Sequence, residues 1–87
     1  MKATRLRKIE STSPMIGDCA VYLVEPPMEG SRYVVAMTVI LKDVTCTTVY
    51  EGNAKGHVVR WMTLAGGRGT ETHADAFAEI GYTLGDI

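Results

Sequence analysis

Four side chains in the sequence have the chemistry to bind a metal ion or to activate a nucleophile. They are Cys19, Cys46, His57 and His73, and four ligands is the number that a structural zinc site needs. No Cys-x-x-Cys or His-x-x-x-His pair is present, so no half of such a site is preformed. A cysteine nucleophile would need a lowered pKa and a neighbouring base, which the sequence alone does not place. We therefore predict a non-enzymatic protein with no metal and no cofactor.

A glycine-rich loop before a short helix is the feature most suggestive of ligand binding. Gly66, Gly67, Arg68 and Gly69 form this loop, and free N–H groups at a helix start can hold a phosphate or a carboxylate. Arg68 would add a bidentate clamp. However, the loop lacks the G-x-x-x-x-G-K-[ST] spacing, and Glu71 would repel an anion. A tight reversal that needs the backbone freedom of glycine is the interpretation we favour.

The charge distribution offers a second binding hypothesis. The net charge is -1, but Lys2, Arg5, Arg7 and Lys8 give the first nine residues +4, and the remainder carries -5. A basic arm of this kind contacts phosphate or an acidic partner. The other interpretation is a solvated edge strand whose cations discourage pairing. Nucleic-acid or nucleotide binding through these residues and Arg68 is therefore kept as the alternative function.

The elements that must position these residues follow from the apolar pattern. Five segments have the composition of strands: residues 3–10, 19–25, 32–42, 45–51 and 57–64. Pro26-Pro27 is expected to end the second segment, because proline cannot donate to a strand ladder. The third is apolar on both faces, which is typical of a central strand. Residues 53–56 predict a type I turn with Gly56 at positive φ.

The last element is a short helix. Thr72 is the predicted N-cap, with Asp75 completing a capping box, and Gly81 is expected to end the helix. Asp75 and Glu79 are expected to face outward. The expected apolar stripe consists of Ala74, Phe77, Ala78 and Ile80. Residues 82–87 are expected to form a tail with at most a short pairing segment.

These elements predict one α+β domain over residues 1–87. We expect two layers: a meander of four or five mainly antiparallel strands, and one C-terminal helix packed on one face. Residues 1–10 would be an edge strand or a basic arm. The helix is expected to seal one side of the sheet and leave no cleft for a reaction. A deep polar pocket that gathers a thiol, an imidazole and a carboxylate would contradict this expectation.

Three ring-bearing side chains in the second half are also candidates for partner binding. His73 lies in the first helical turn, where a cation is unfavourable, so a neutral ring that bonds to backbone is expected. Trp61 and Tyr82 are expected to pack in the core or at its margin. If either proves exposed beside Met28 or Met62, it becomes a contact residue, because aromatic residues and methionine are favoured at interfaces.

The second half of the chain also carries the pattern W-x-x-L-x-G-x-x-G-x-x-x-H-x-x-A-x-x-x-x-G-Y. The matching residues are Trp61, Leu64, Gly66, Gly69, His73, Ala76, Gly81 and Tyr82. A hairpin followed by this pattern resembles small uncharacterised proteins encoded by actinobacteria and their phages. The resemblance implies a phage or prophage origin and no catalytic activity. One departure is Lys55, which stands where those proteins tend to have an acidic residue or Asn before the loop glycine.

The sequence also bears on location and partners. No signal-peptide core follows Met1, and no apolar run approaches the ~20 residues of a membrane helix. Both cysteines lie in apolar runs and are expected to be buried and reduced, which favours the cytoplasm. The leading hypothesis is a phage-encoded accessory protein that binds a host protein, or a second copy of itself. The expected surfaces are an exposed edge strand and the acidic outer face of the helix, with Asp75 and Glu79.

Overall fold

The computed structural model describes residues 1–11, 13–67 and 69–86 of the chain. In these ranges it contains the strands β1 (Lys2–Lys8), β2 (Ile16–Met28), β3 (Ser31–Leu41), β4 (Val44–Gly52), β5 (Val58–Gly67) and β6 (Thr83–Asp86), and the helix α1 (His73–Ala78) between β5 and β6. All six strands join one sheet in the order β5-β4-β3-β2-β1-β6. No helix in the described part of the chain has the length and apolar character needed to cross a membrane.

The predicted α+β class is confirmed, with a larger sheet than expected. Strands β1 to β5 form the antiparallel meander, and β6 adds a sixth strand that runs parallel to β1. A parallel pairing needs a crossover connection, and α1 supplies it by carrying the chain over the sheet. Because β6 pairs with its outer side, β1 has neighbours on both sides. The prediction that residues 1–10 form an edge strand or a basic arm is therefore wrong for Lys2–Arg5, the part of β1 that pairs with β6.

Strand β2 continues through the two prolines that were expected to end it. The pairing of β2 with β3 is irregular between Leu23 and Met28, and Pro26 and Pro27 lie in this interval. A bulge tolerates proline because its residues need not donate to the neighbouring strand. Tyr82 fixes the bulge from the C-terminal side, since its hydroxyl donates to the Pro26 carbonyl at 2.5 Å. Strand β2 is therefore longer than the sequence indicated.

Three local predictions are confirmed. Gly56 has φ +86, and its N–H donates to the Asn53 carbonyl at 2.9 Å, as the predicted turn requires. Thr72 caps α1, and its side chain accepts from the Asp75 N–H, while the Asp75 carboxylate accepts from the Thr72 N–H. Gly81, at φ +85, follows the helix as expected.

The main core lies between α1 and one face of the sheet. Phe77 is fully buried, and its ring centroid lies 4.7 Å from that of Tyr22 and 6.4 Å from that of Tyr82. The facing sheet positions are small or β-branched, among them Ala20, Val34, Ala36, Val49 and Ala65. The helix thus packs on the less bulky face of β3, where its backbone can approach the sheet closely.

The buried side of α1 is rotated from the predicted stripe. Ala74 and Ala78 are exposed, whereas His73, Ala76 and Phe77 are buried. The predicted stripe contained neither His73 nor Ala76. Its burial is possible because both ring nitrogens find hydrogen-bond partners there, as polar groups in a core require.

The opposite face of the sheet has its own small core. Val21 and Val35 are almost completely buried although α1 packs on the other face of the sheet. The tip of the β4–β5 hairpin curls toward the end of β1 instead, where Gly56 lies against Ile9. The Arg7 guanidinium donates to the Lys55 carbonyl and holds this contact. The coiled sheet therefore buries part of its second face by itself.

Candidate functional site

The edge strand β5 is strongly bulged. Ten residues of β5 lie opposite six residues of β4, and the register shifts three times between Val49 and Gly52. The residues of β5 without a partner on β4 are Val59, Trp61, Met62 and Leu64. All four are apolar, so the extra length of β5 consists of side chains that would normally pack in a core. Bulges re-aim side chains, and they are frequent at sheet edges and near functional sites.

Three of these inserted residues are largely exposed, and we call Val59, Trp61 and Met62 the apolar rim. Their exposed fractions are 55%, 69% and 59%. Trp61 is not free in solvent, because its ring lies edge-on to Tyr50 with centroids 5.1 Å apart. The expectation that Trp61 packs in the core or at its margin is therefore wrong. Trp61 is instead a candidate contact residue, because it is exposed together with its sequence neighbour Met62.

Three basic side chains lie on the β4–β5 hairpin or against its tip. We call Arg7, Lys55 and Arg60 the basic flank, and all three are exposed. Arg60 is 64% exposed at its side chain, and its Nε lies 3.9 Å from the Glu51 Oε2, beyond hydrogen-bonding distance. Arg7 is brought here by its bond to the Lys55 carbonyl. Arg60 and Glu51 lie on the helix side of the sheet with Val34, whereas Trp61 packs on Tyr50 on the opposite side with Val35.

A polar cleft lies on the other side of the molecule, between the start of α1 and the sheet. Its cavity has a volume of about 390 Å³, and its walls include Arg5, Asp18, Tyr22, Thr38, His73 and Leu84. The expectation that the helix leaves no cleft is therefore wrong. The cleft gathers an imidazole and a carboxylate, but no thiol is found among the described residues that line it.

The charged and polar groups of the cleft satisfy one another. Arg5 donates from Nη1 and Nη2 to the two carboxylate oxygens of Asp18, at 2.8 and 2.9 Å. His73 Nε2 lies 3.1 Å from the Asp18 carbonyl, which can only accept, so Nε2 carries the hydrogen. His73 Nδ1 then accepts from the Tyr22 hydroxyl at 2.7 Å. His73 is thus a neutral ring bonded to backbone, and it ties α1 to β2.

The pKa shifts agree with a structural network. The hydrogen bonds from Arg5 lower the pKa of Asp18 below its ordinary value and keep it ionised. Burial lowers the pKa of His73 and outweighs the nearby Asp18 carboxylate, which favours the charged ring.

Burial also raises the pKa of the Cys19 thiol, which makes it a weaker nucleophile. Both cysteines are free. In the described ranges, no three His, Cys, Asp or Glu side chains are grouped to hold a metal ion.

Two backbone donors at the glycine-rich loop are used within the chain. The Gly67 N–H donates to the Thr70 hydroxyl, and the Thr70 N–H donates to the Gly67 carbonyl. At the helix start, the Asp75 carboxylate already occupies the position that a bound anion would take. Arg68, the proposed clamp, lies outside the described residues. These bonds favour the tight-reversal interpretation of the loop.

The remaining candidate residues are spread over the surface. Lys2 and Lys8 are exposed at the two ends of β1, and Glu79 is exposed at the end of α1. Asp75 is used by the capping box, and Tyr82 is buried with its hydroxyl on Pro26. The structure therefore brings Arg5 and His73 together through Asp18 and separates both from Trp61. One sequence signal could have identified the apolar rim: β5 contains more large apolar residues than pairing with β4 can use.

Acidification from about pH 8 to about pH 5 is expected to destabilise the protein through His73. Its pKa is lowered in the folded state, so below its ordinary value of 6.5 the unfolded chain binds the proton first. The free energy of unfolding should therefore fall as the pH drops below 6.5. The pKa of Asp18 is also lowered, so protonation of its carboxylate in more acidic solution adds a further loss of stability. Urea denaturation at about one-unit pH intervals measures both.

A His73→Gln variant is the control for this pH dependence. It should be less stable than the original at pH 8 by about 1–3 kcal/mol, because it loses a buried hydrogen bond. It should also lack the part of the slope that His73 contributes near pH 6. His57 is exposed and is present in both proteins. Equal slopes in the two proteins would show that His73 is not the titrating group.

Comparison of the chain with protein-family models, with curated proteins and with solved structures found no significant match. The function is therefore inferred from the geometry of the two surfaces described above.

Proposed function

We propose that the protein is a non-enzymatic interaction module that binds another protein through the apolar rim. The observation that carries this proposal is the composition of the β5 bulges. All four unpartnered residues are apolar, and three of them are largely exposed, as is Arg60 on the other side of the strand. Tryptophan, methionine and arginine are the residue types enriched at protein interfaces, and tryptophan and arginine are frequent binding hot spots.

The shape of β5 indicates how the partner binds. Bulges twist an edge and interrupt its row of backbone donors and acceptors, which protects it against strand addition. The bulges of β5 also turn the extra side chains outward. Binding through the side chains of the rim is thus better supported than extension of the sheet by a partner strand. Tyr50 holds Trp61 in place and so reduces the entropy that binding must remove.

The contacts in the cleft and at β1 give less support to other functions. In the cleft, Arg5 is paired with Asp18 and Tyr22 is bonded to His73, so these groups already have partners. A nucleic-acid surface would need the cations of β1, but Arg5 is in an ion pair and Arg7 is bound to a carbonyl. The resemblance of the second half to actinobacteriophage proteins would make the partner a host protein in the bacterial cytoplasm.

Substitution of the rim tests the proposal. The double variant Trp61→Ala/Met62→Ala should lose a specific protein that the original chain retains from actinobacterial lysate. The partner should then be purified and its affinity measured by calorimetry. Trp61→Ala alone should weaken binding about 30-fold, the effect of losing a hot-spot side chain.

The matched control is the pair Lys42→Gln and Glu79→Gln, two exposed residues outside the rim. Both variants should bind the partner as the original chain does. Circular dichroism should show that the rim variants remain folded, because the substituted side chains are largely exposed. A partner that binds the rim variants with unchanged affinity would refute the proposal.

A further inference from the structure

From the hydrogen-bonding groups that line the polar cleft, we infer that the cleft binds a small organic amine in its ammonium form. The cleft is separate from the apolar rim, so this binding goes beyond the proposed function. Its volume of about 390 Å³ falls in the range of small-molecule pockets. The cleft lies between the start of the six-residue helix α1, the strand β6 and the face of the sheet below them.

The donor hydrogens of the buried side chains in the cleft are spent on bonds within the chain. The Tyr22 hydroxyl donates to His73 Nδ1, and Nε2 of the same ring donates to a backbone carbonyl. The Thr47 hydroxyl donates to another carbonyl, so Thr38 must supply the hydrogen of the 2.7 Å bond between the two threonine hydroxyls. Thr38 lines the cleft at 8% exposure, and its oxygen can still accept. The buried walls thus leave an acceptor for a ligand.

Carboxylate oxygens add to this excess of acceptors. Each oxygen of Asp18 accepts one N–H from Arg5, and a carboxylate oxygen can accept two. The side chain of Asp18 is 44% exposed, so its second acceptor positions can be reached. Glu71, an exposed residue of the wall, supplies another carboxylate. Arg5 has N–H groups beyond the two that bind Asp18, but Asp18 compensates its charge.

The charges of the walls favour a cation. Arg5, Asp18 and Glu71 are the charged residues among the described walls, and one positive and two negative charges leave -1. His73 adds no charge, because burial lowers its pKa and keeps the ring neutral. An ammonium group brings a positive charge and three donors to these oxygens, and hydrogen bonds between charged groups are the stronger ones.

Neighbouring groups outside the walls do not reverse this balance. Lys8 is exposed and favours the ionised form of Asp18, whereas Asp75 is exposed in the first turn of α1. The charges of Lys8 and Asp75 cancel. The positive end of the α1 dipole opposes a cation, but the Asp75 carboxylate accepts from the Thr72 N–H there and compensates it.

The apolar walls determine the rest of the ligand. Leu84 and Ala74 contribute apolar side chains, and Gly85 adds a wall without one. A short aliphatic or aromatic group on the amine would contact these residues, as apolar walls with a few polar groups do in other small-molecule pockets.

Benzylamine is the probe for this site, and benzyl alcohol and benzoate are its neutral and anionic counterparts. Backbone amide NMR shifts of the full chain at His73, Ala74 and Leu84 report binding in the cleft. At pH 7, benzylamine should bind with a dissociation constant of about 1 mM, as expected for a ligand of its size. Benzyl alcohol should bind about tenfold more weakly, because it makes no charge-assisted hydrogen bond, and benzoate should not bind.

Three variants locate the effect. Glu71→Gln should weaken benzylamine about tenfold and leave benzyl alcohol unchanged. Glu79→Gln makes the same charge change at the other end of α1 and should leave both affinities unchanged. Ala74→Leu fills the cleft from an exposed helical position and should abolish binding of both probes, while circular dichroism shows a folded protein.

Three outcomes would overturn the inference. Equal affinities for benzylamine and benzyl alcohol would show that charge does not select the ligand. Unchanged binding of benzylamine to Glu71→Gln and Ala74→Leu would place the amine elsewhere on the surface. Absence of any shift up to about 10 mM benzylamine would reject the cleft as an amine site. The proposed function is tested separately, because it depends on the partner that the Trp61 and Met62 variants lose.

Discussion

Replacement of Gly66 by alanine is expected to remove a large part of the stability of the protein. A Cβ at this position would lie 2.2 Å from the Thr47 carbonyl oxygen and 3.1 Å from the Ala76 Cβ. Neither the β4 backbone nor the helix can move away without breaking the core between them. The φ of +82 adds about 1–2 kcal/mol of strain for any L-residue. We expect a total loss of at least about 3 kcal/mol, a large part of the stability of a small domain.

Gly69→Ala is the matched control for this prediction. Gly69 has a similar φ of +97, but no atom lies within 4 Å of a Cβ built there. This variant should lose only the backbone strain, about 1–2 kcal/mol. Thermal and urea denaturation of the two variants measure the difference. Similar losses of stability in both variants would show that β4, β5 and α1 do not approach one another closely at Gly66.

Phe77→Ala should have the second large effect, a loss of about 3–5 kcal/mol in the free energy of unfolding. Phe77 is the central side chain between α1 and the sheet, fully buried and in contact with two tyrosine rings. Its removal leaves a cavity that a six-residue helix cannot fill by moving, because other contacts also hold that helix. Urea denaturation with a constant m-value would attribute the change to stability.

Two variants bracket the Phe77 prediction. Phe77→Leu keeps most of the volume and should lose less than about 1.5 kcal/mol. Val59→Ala removes apolar atoms from the exposed rim and should change stability by less than about 0.5 kcal/mol. A large loss in Val59→Ala would indicate that the rim is part of the core, and it would weaken the proposed function as well.

Features that depend on neighbouring residues could be predicted from the sequence. The turn at Gly56 and the cap at Thr72 are determined by backbone conformation and by side chains within three or four positions. The central position of β3 also followed from its two apolar faces. The sixth strand was anticipated only as a short pairing segment in the tail, because residues 83–86 become a strand only by pairing with β1 from the other end of the chain.

The candidate site was missed for a related reason. Assigning alternate residues of β5 to two faces assumes that each residue has one partner on β4. The bulges break this assumption, so Trp61 and Met62 face solvent. The cleft was missed because His73 was excluded from the buried face of α1. Its partners Tyr22 and Asp18 lie more than fifty positions earlier in the chain, where no local pattern connects them.

The parallel pairing of β1 with β6 has a consequence for the order of folding. Lys2 pairs with Thr83, so this contact closes a loop that contains nearly the whole polypeptide. Closing so long a loop early is entropically unfavourable, and contacts of such wide sequence separation slow the folding of small domains. The five-stranded meander can assemble from its hairpins as the ribosome releases them. The sheet is completed only when β6 pairs with β1, which makes this closure the last step in the assembly of the sheet.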